Sequence, residues 1–189
     1  MILPQDFYRQ DTKIVAKNLL GKLLVHESTL GTMAGRIVET EAYLFPNDPA
    51  SHSFRGKTKR NEALFGEAGR SYIYSIFGMH FCFNVVTKAE GEAVLIRSLE
   101  PVMGIEIMKK IRRMEKIKTL CNGPSKLVQS LAINKTHNQV LLTHPPLYIM
   151  DQPSLDPKQI GTSFRIGIST GQDLALRYFI RDNEFVSRR

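Results

Sequence analysis

Apolar and polar positions along the chain switch between a helical period and a strand period, and the switches mark the elements. Asp11 caps a predicted helix that runs to Leu20, with Val15 and Leu19 on one face and Gly21 as its stop. Lys22 to His26 reads as a short strand, and Ser28 to Thr32 turns the chain into a longer one. In that longer strand, alternation sends Ile37, Glu39, Glu41 and Tyr43 to one face and Val38, Thr40 and Ala42 to the other. Pro46-Asn47-Asp48-Pro49 ends it.

After a polar loop, three further strands are expected: Ser71 to Phe77, Met79 to Thr87 and Ala93 to Leu99. The first puts Tyr72, Tyr74 and Ile76 on one side, and the second puts His80, Cys82, Asn84 and Val86 on one side. They meet around Gly78, so Phe77, Gly78, Met79 and His80 form an apolar hairpin tip. Hairpin tips are ordinarily polar because they face water, so this one packs on its own protein or inserts into a partner. Gly104 to Lys118 predicts an amphipathic helix with Ile107, Ile111 and Met114 on its stripe. A second helix starts at Asn122-Gly123-Pro124-Ser125 and runs through Ile133. Strands at Leu147–Met150, Phe164–Ile168 and Leu176–Ile180 complete the chain. Hairpins without a βαβ series predict a mixed α/β (α+β) domain spanning 1–189.

Charge changes the picture. Among 189 residues, 26 Lys+Arg face 18 Asp+Glu, a net charge of +8, which raises the odds of a nucleic-acid or other polyanionic partner. A basic, merely soluble protein is the competing explanation. Two cysteines, Cys82 and Cys121, support neither a disulfide framework nor a cysteine-rich metal site, and the five histidines lack zinc-like spacing. No metal or organic cofactor is expected. No apolar run reaches transmembrane length and no signal peptide is visible, so a cytoplasmic protein is expected, nucleoid-associated if bacterial.

Against this basic background Glu39 and Glu41 stand out, since carboxylates are rarely buried without a partner or a task. Tyr43 and Tyr74 offer flat faces for a base, and stacking contributes roughly 1–3 kcal/mol per base. Asn84 offers an amide for a base edge. Arg97 lies near the end of the apolar run Ala93-Val94-Leu95-Ile96 and calls for a carboxylate or a bound water network, with a structural pair to Glu39 or Glu100 as its plain alternative.

The run Arg36-Ile37-Val38-Glu39-Thr40-Glu41-Ala42-Tyr43 is followed by His52-Ser53, Arg55-Gly56, Arg60-Asn61, Tyr72-Ile73-Tyr74, Gly78-Met79 and Phe81-Cys82-Phe83-Asn84. Arg97-Ser98-Leu99-Glu100-Pro101 and Gly123-Pro124-Ser125-Lys126-Leu127 then complete an ordered set. From about Phe7 to the C-terminal strands this set closely resembles the alkyladenine (3-methyladenine) DNA glycosylase family. The resemblance implies a single compact domain with a curved, mostly antiparallel sheet, flanking helices and a protruding β-hairpin. It also implies an enzyme that flips a damaged purine out of duplex DNA and hydrolyses its N-glycosidic bond.

Carried over residue by residue, the resemblance makes Glu41 the base that activates water and Arg97 the group that orients it. Tyr43, His52 and Tyr74 become the walls that stack on the flipped base, and Asn84 a filter against the exocyclic amine of guanine. Phe77 falls where the family often has an intercalating tyrosine, with Met79 and His80 beside it. His80 also replaces an expected aromatic residue. An apolar wedge offsets part of the cost of extrusion. Phosphate contacts are expected from Arg55, Lys57, Lys59, Arg60, Arg112, Lys126 and Lys135. No lysine lies in the base-pocket motifs to act as a lyase nucleophile, so simple hydrolysis by a monomer is expected.

Two other readings stay open at this stage. A non-catalytic minor-groove module would account for the charge and the wedge but not for the carboxylates. A sugar glycosidase could use Glu39 and Glu41 together, about 6.5–7 Å apart along one strand face.

Overall fold

In the computed structural model, which describes residues 1–76, 78–88 and 90–187, the strands form one curved antiparallel sheet. Its strands are β1 (Leu23–Ser28), β2 (Gly31–Tyr43), β3 (Ser71–Ile76), β4 (His80–Val86) and β5 (Ala93–Met103), followed by β6 (Leu147–Met150), β7 (Ile160–Ser163) and β8 (Arg177–Ile180). The order is β3-β4-β5-β2-β1-β6, and β8 pairs with both β2 and β7. Among the described residues, four α-helices flank it: α1 (Gln5–Tyr8), α2 (Thr12–Asn18), α3 (Ile105–Arg112) and α4 (Pro124–Ser130). The mixed α/β class and the antiparallel hairpins agree with the pattern reading.

The central strand is β2. Its first half pairs with β1, and Glu39 to Glu41 then lie between β5 on one edge and β8 on the other. Both edges of that stretch are therefore hydrogen-bonded. One face packs on α2, where Thr40 Oγ1 donates to Ala16 O at 2.8 Å. Asp11 caps α2 through the N–H groups of Lys13 and Ile14, and Val15 and Leu19 are buried as the period requires. On the far side of the sheet order, α4 packs on β4 and β5, with Pro124 in its first turn and Leu127 in the core.

Three pattern readings need correction. Ile37 does not share a face with Glu39. The register shifts between Ile37 and Glu39 and again between Glu39 and Thr40, so Val38 on β2 and Arg97 on β5 each fall outside the Cα pairing. Ile37 joins Ala42 in the main core, while Glu39 and Glu41 turn to the other face. Paired bulges re-aim side chains in this way beside functional sites. The predicted helix to Lys118 stops at Arg112, because Arg113 takes a left-handed conformation (φ 51°) and its N–H returns to Lys109 and Lys110. Phe164–Ile168 is a loop, the strand being Ile160–Ser163 instead. The ladder is lost there because the Arg165 side chain is buried against Asp48 and the Ile166 N–H is taken by Glu41.

Gly35 shows how closely β2 and β5 approach. A methyl at this position would lie 2.8 Å from Leu99 Cβ, and Leu99 is fully buried. Gly35→Ala is expected to cost about 1–3 kcal/mol, read as a lower urea midpoint. An unchanged midpoint would mean that the strand pair yields freely.

Candidate active site

The bulges bring Arg97 between two carboxylates. Its Nε donates to Glu39 Oε1 at 3.0 Å, and its Nη1 lies 3.1 Å from Glu41 Oε1. Both carboxylates have no exposed surface. Glu39 accepts four hydrogen bonds among the described residues: Oε1 also accepts from Arg177 Nε at 2.7 Å and Ser187 Oγ at 2.9 Å, and Oε2 accepts the Ser187 N–H at 2.7 Å. Two guanidinium groups therefore hold Glu39 as a structural anion, an arrangement that favours an ion-pair role for it over that of the second carboxylate of a sugar glycosidase.

Glu41 is held more loosely. Oε1 takes the Ile166 N–H at 2.8 Å together with Arg97, and Oε2 accepts one hydrogen bond among the described residues, from the Tyr43 hydroxyl at 2.9 Å. Burial pushes its pKa above the usual carboxylate value, against the opposing pull of Arg97, the Ile166 N–H and Tyr43. Burial would lower the pKa of Arg97, but Glu41 and Glu39 outweigh it, so the guanidinium stays charged. Burial and the Glu41 charge push the Tyr43 phenol well up, so that it remains a donor.

Beyond Tyr43 lies a cavity of about 260 Å³, lined by Tyr43, His52, Tyr72, Tyr74 and Asn84 on one side and by Gly167 to Thr170 on the other. His52 meets Tyr74 edge-on, with ring centroids 4.4 Å apart, and its Nδ1 lies 3.0 Å from the Tyr72 hydroxyl. Partial burial and then the Arg60 charge hold its pKa below the usual histidine value, which favours the neutral ring. Asn84 Nδ2 donates to Tyr72 O at 3.0 Å, which fixes the amide orientation at the cavity wall. The β3–β4 register sets this arrangement, since Tyr72 pairs with Asn84 and Tyr74 with Cys82. A second cavity, of about 410 Å³, adjoins Tyr43, Tyr74 and Gly167 from the other side and contains Arg97, Cys82 and Lys126. Burial pushes the Cys82 thiol up to about 11, so it is no nucleophile at neutral pH.

The comparisons with known proteins show the family to which this chain belongs. Residues 6–184 match the model of a family described as methylpurine-DNA glycosylase. A protein of Methanoculleus marisnigri and one of Carboxydothermus hydrogenoformans are each 48% identical over the whole of both chains. One from Francisella tularensis is 45% identical over 96% of each. All three are provisionally named 3-methyladenine DNA glycosylase. The chain belongs to the methylpurine-DNA glycosylase family. It is thus a DNA glycosylase, a hydrolase, and the reading as a non-catalytic binding module is set aside.

On this glycosylase, Glu41, Arg97, Tyr43, His52, Tyr74 and Asn84 converge as the sequence reading grouped them. Phe77 lies outside the described residues. Its neighbours Met79 and His80 are exposed, Met79 at 78%. Arg55, Lys57, Lys59 and Arg60 are exposed on the loop that follows His52, and Asn61 pins that loop by donating to His52 O and Gly56 O. Lys126 lines the second cavity. Arg112 is half-buried and donates to Gln129 Oε1, and Lys135 sits on an exposed 3-10 turn that packs on β3, so neither borders the two cavities.

The sequence reading missed Arg177, Arg165, Asp48 and the backbone of Ile166. Arg177 carried the signal that singled out Arg97, a cation within an apolar strand. Glu39→Ala would leave Arg97 and Arg177 without that buried carboxylate and is expected to cost about 3–5 kcal/mol. Glu41→Gln should leave the thermal midpoint at pH 7 at or above wild type. The raised pKa means that folding favours the neutral form, so ionised Glu41 lowers stability once pH exceeds its folded pKa. Denaturation of both variants at pH 7 checks the contrast, and equal losses would contradict it.

Proposed function

We propose that the protein excises alkylated or deaminated purines from duplex DNA, flipping the nucleotide and hydrolysing its N-glycosidic bond to leave an abasic site. The observation that carries this reading is Glu41. It is a buried carboxylate with a raised pKa, with one oxygen fixed by Arg97 and the Ile166 N–H and the other reached only by Tyr43 among the described residues. A base poised closer to neutral pH is the better proton acceptor for water, and a carboxylate near the sugar stabilises positive charge developing there. Arg97 orients that water.

The flipped base stacks between Tyr43 and the His52–Tyr74 pair, and the fixed Asn84 amide opposes the extra amine of guanine. The exposed tip with Met79 and His80 enters the duplex beside the vacated position. The loop cations Arg55 to Arg60 and Lys126 contact phosphates on either side of the cavities. The relatives' shared name supports an alkylated adenine among the substrates.

Single-turnover release from duplexes carrying hypoxanthine or ethenoadenine, and from methylated DNA, tests the reading. Glu41→Gln is expected to lose about 10²–10⁴-fold in rate while still binding DNA. Undiminished release would remove Glu41 from the mechanism. For the wild type, the rate should climb with pH through an apparent pKa above the ordinary glutamate value, because only ionised Glu41 accepts a proton. A limb at the ordinary value would contradict this. Lys126→Ala should lower the slope of log K against log salt by about 0.9, and an unchanged slope would place Lys126 away from phosphate.

A further inference from the structure

The chemistry given to Glu41 leaves one buried ion pair beside the site without a task. Arg165 and Asp48 have no exposed side-chain surface. Arg165 Nη1 donates to Asp48 Oδ2 at 2.5 Å and Nη2 to Oδ1 at 2.7 Å, the two-pronged geometry of a strong pair. The same nitrogens donate to Ala42 O at 3.0 Å and Gly171 O at 3.3 Å. Asp48 in turn accepts the N–H groups of Leu44 and Ala50, both at 3.1 Å.

This pair therefore joins the loop after β2 to the segment 164–171, and both pieces line the base cavity, through Pro49 to His52 and Gly167 to Thr170. Thr170 Oγ1 adds a second stitch to Pro49 O at 3.1 Å. Gly171 (φ 62°) brings the segment so close that a Cβ there would meet Arg165 Nη2 at 3.1 Å. The Arg165 guanidinium also lies 4.7 Å from the centroid of the Tyr43 ring, whose hydroxyl reaches Glu41.

A buried pair is a poor device for stability alone, because apolar residues of similar volume do as well. Its directional value is different: a planar cation locked in place can orient a ring. We infer that Arg165 is a positioning residue for base excision, clamped by Asp48 so that it closes the base cavity and holds Tyr43 between the flipped base and Glu41. The inference rests on the reading of Glu41 and Tyr43 given above. Arg165 acts through Tyr43, so its effect depends on that ring being present.

The test measures single-turnover base release and binding to undamaged duplex for wild type, Arg165→Lys and the paired Asp48→Asn with Arg165→Gln. Each is made with Tyr43 intact and with Tyr43→Leu, and Glu41→Gln serves as reference. Arg165→Lys keeps the charge but loses the fork, and is expected to slow release about 10–100-fold with binding to undamaged DNA unchanged. The paired variant removes both charges together, leaves no lone buried charge, and gives the same comparison if Arg165→Lys fails to fold. In the Tyr43→Leu background the further loss should shrink to roughly twofold, the ordinary error of additivity. A wild-type rate in both clamp variants, or a full additional loss without Tyr43, overturns the inference. Undiminished release by Glu41→Gln instead overturns the reading on which it rests, whatever the clamp variants do.

Discussion

Two carboxylates buried two residues apart on one strand are unfavourable unless cations and N–H groups are brought to them, and much of this molecule is arranged to do so. Glu39 gathers Arg97 from β5, Arg177 from β8 and Ser187 from the C-terminal segment. These are the pieces that must close on β2 for the sheet to be complete there. The same cluster supplies one of the three partners that Glu41 has among the described residues, because Arg97 spans both carboxylates. Under the proposed function, stability and chemistry share one guanidinium.

Neighbouring carboxylates on one strand face take different parts because their surroundings differ. Glu39 is tied to two guanidinium groups and to Ser187 as a structural anion. Glu41 keeps capacity on Oε2 and carries a raised pKa through burial. Environments that divide the tasks of paired carboxylates are a general device in hydrolases. Tyr43 connects the two regimes, since its hydroxyl is tied to Glu41 and its ring faces the base cavity. The surface carries the opposite sign. The chain's net charge of +8 suits a polyanionic substrate, while Glu39 and Glu41 are buried away from that surface.

The strand periods and hairpins were legible in the chain because each face of a strand meets one environment over several residues. Tyr72 and Tyr74 on one side of β3, Cys82 and Asn84 on one side of β4, and the Asp11 cap all follow from local rules. The motif set also brought Glu41, Arg97, His52 and Asn84 together before any coordinates, since those residue types in that order meet a family pattern. Local rules overran at Lys118, where one left-handed residue ended the helix early.

What only the tertiary structure decided concerns contacts made across long stretches of chain. Alternation predicts Ile37 beside Glu39, and no local signal marks the paired bulges at Val38 and Arg97 that separate them. Phe164–Ile168 has a strand's composition, but its backbone and side chains bond to Glu41 and Asp48, more than 100 positions away in sequence, and so leave the ladder. Residue types and their local periods set which chemistry was possible. Which carboxylate is held by two guanidinium groups and which by one depends on Ser187 and Arg177 arriving from the far end of the chain, a closure that no short-range pattern encodes.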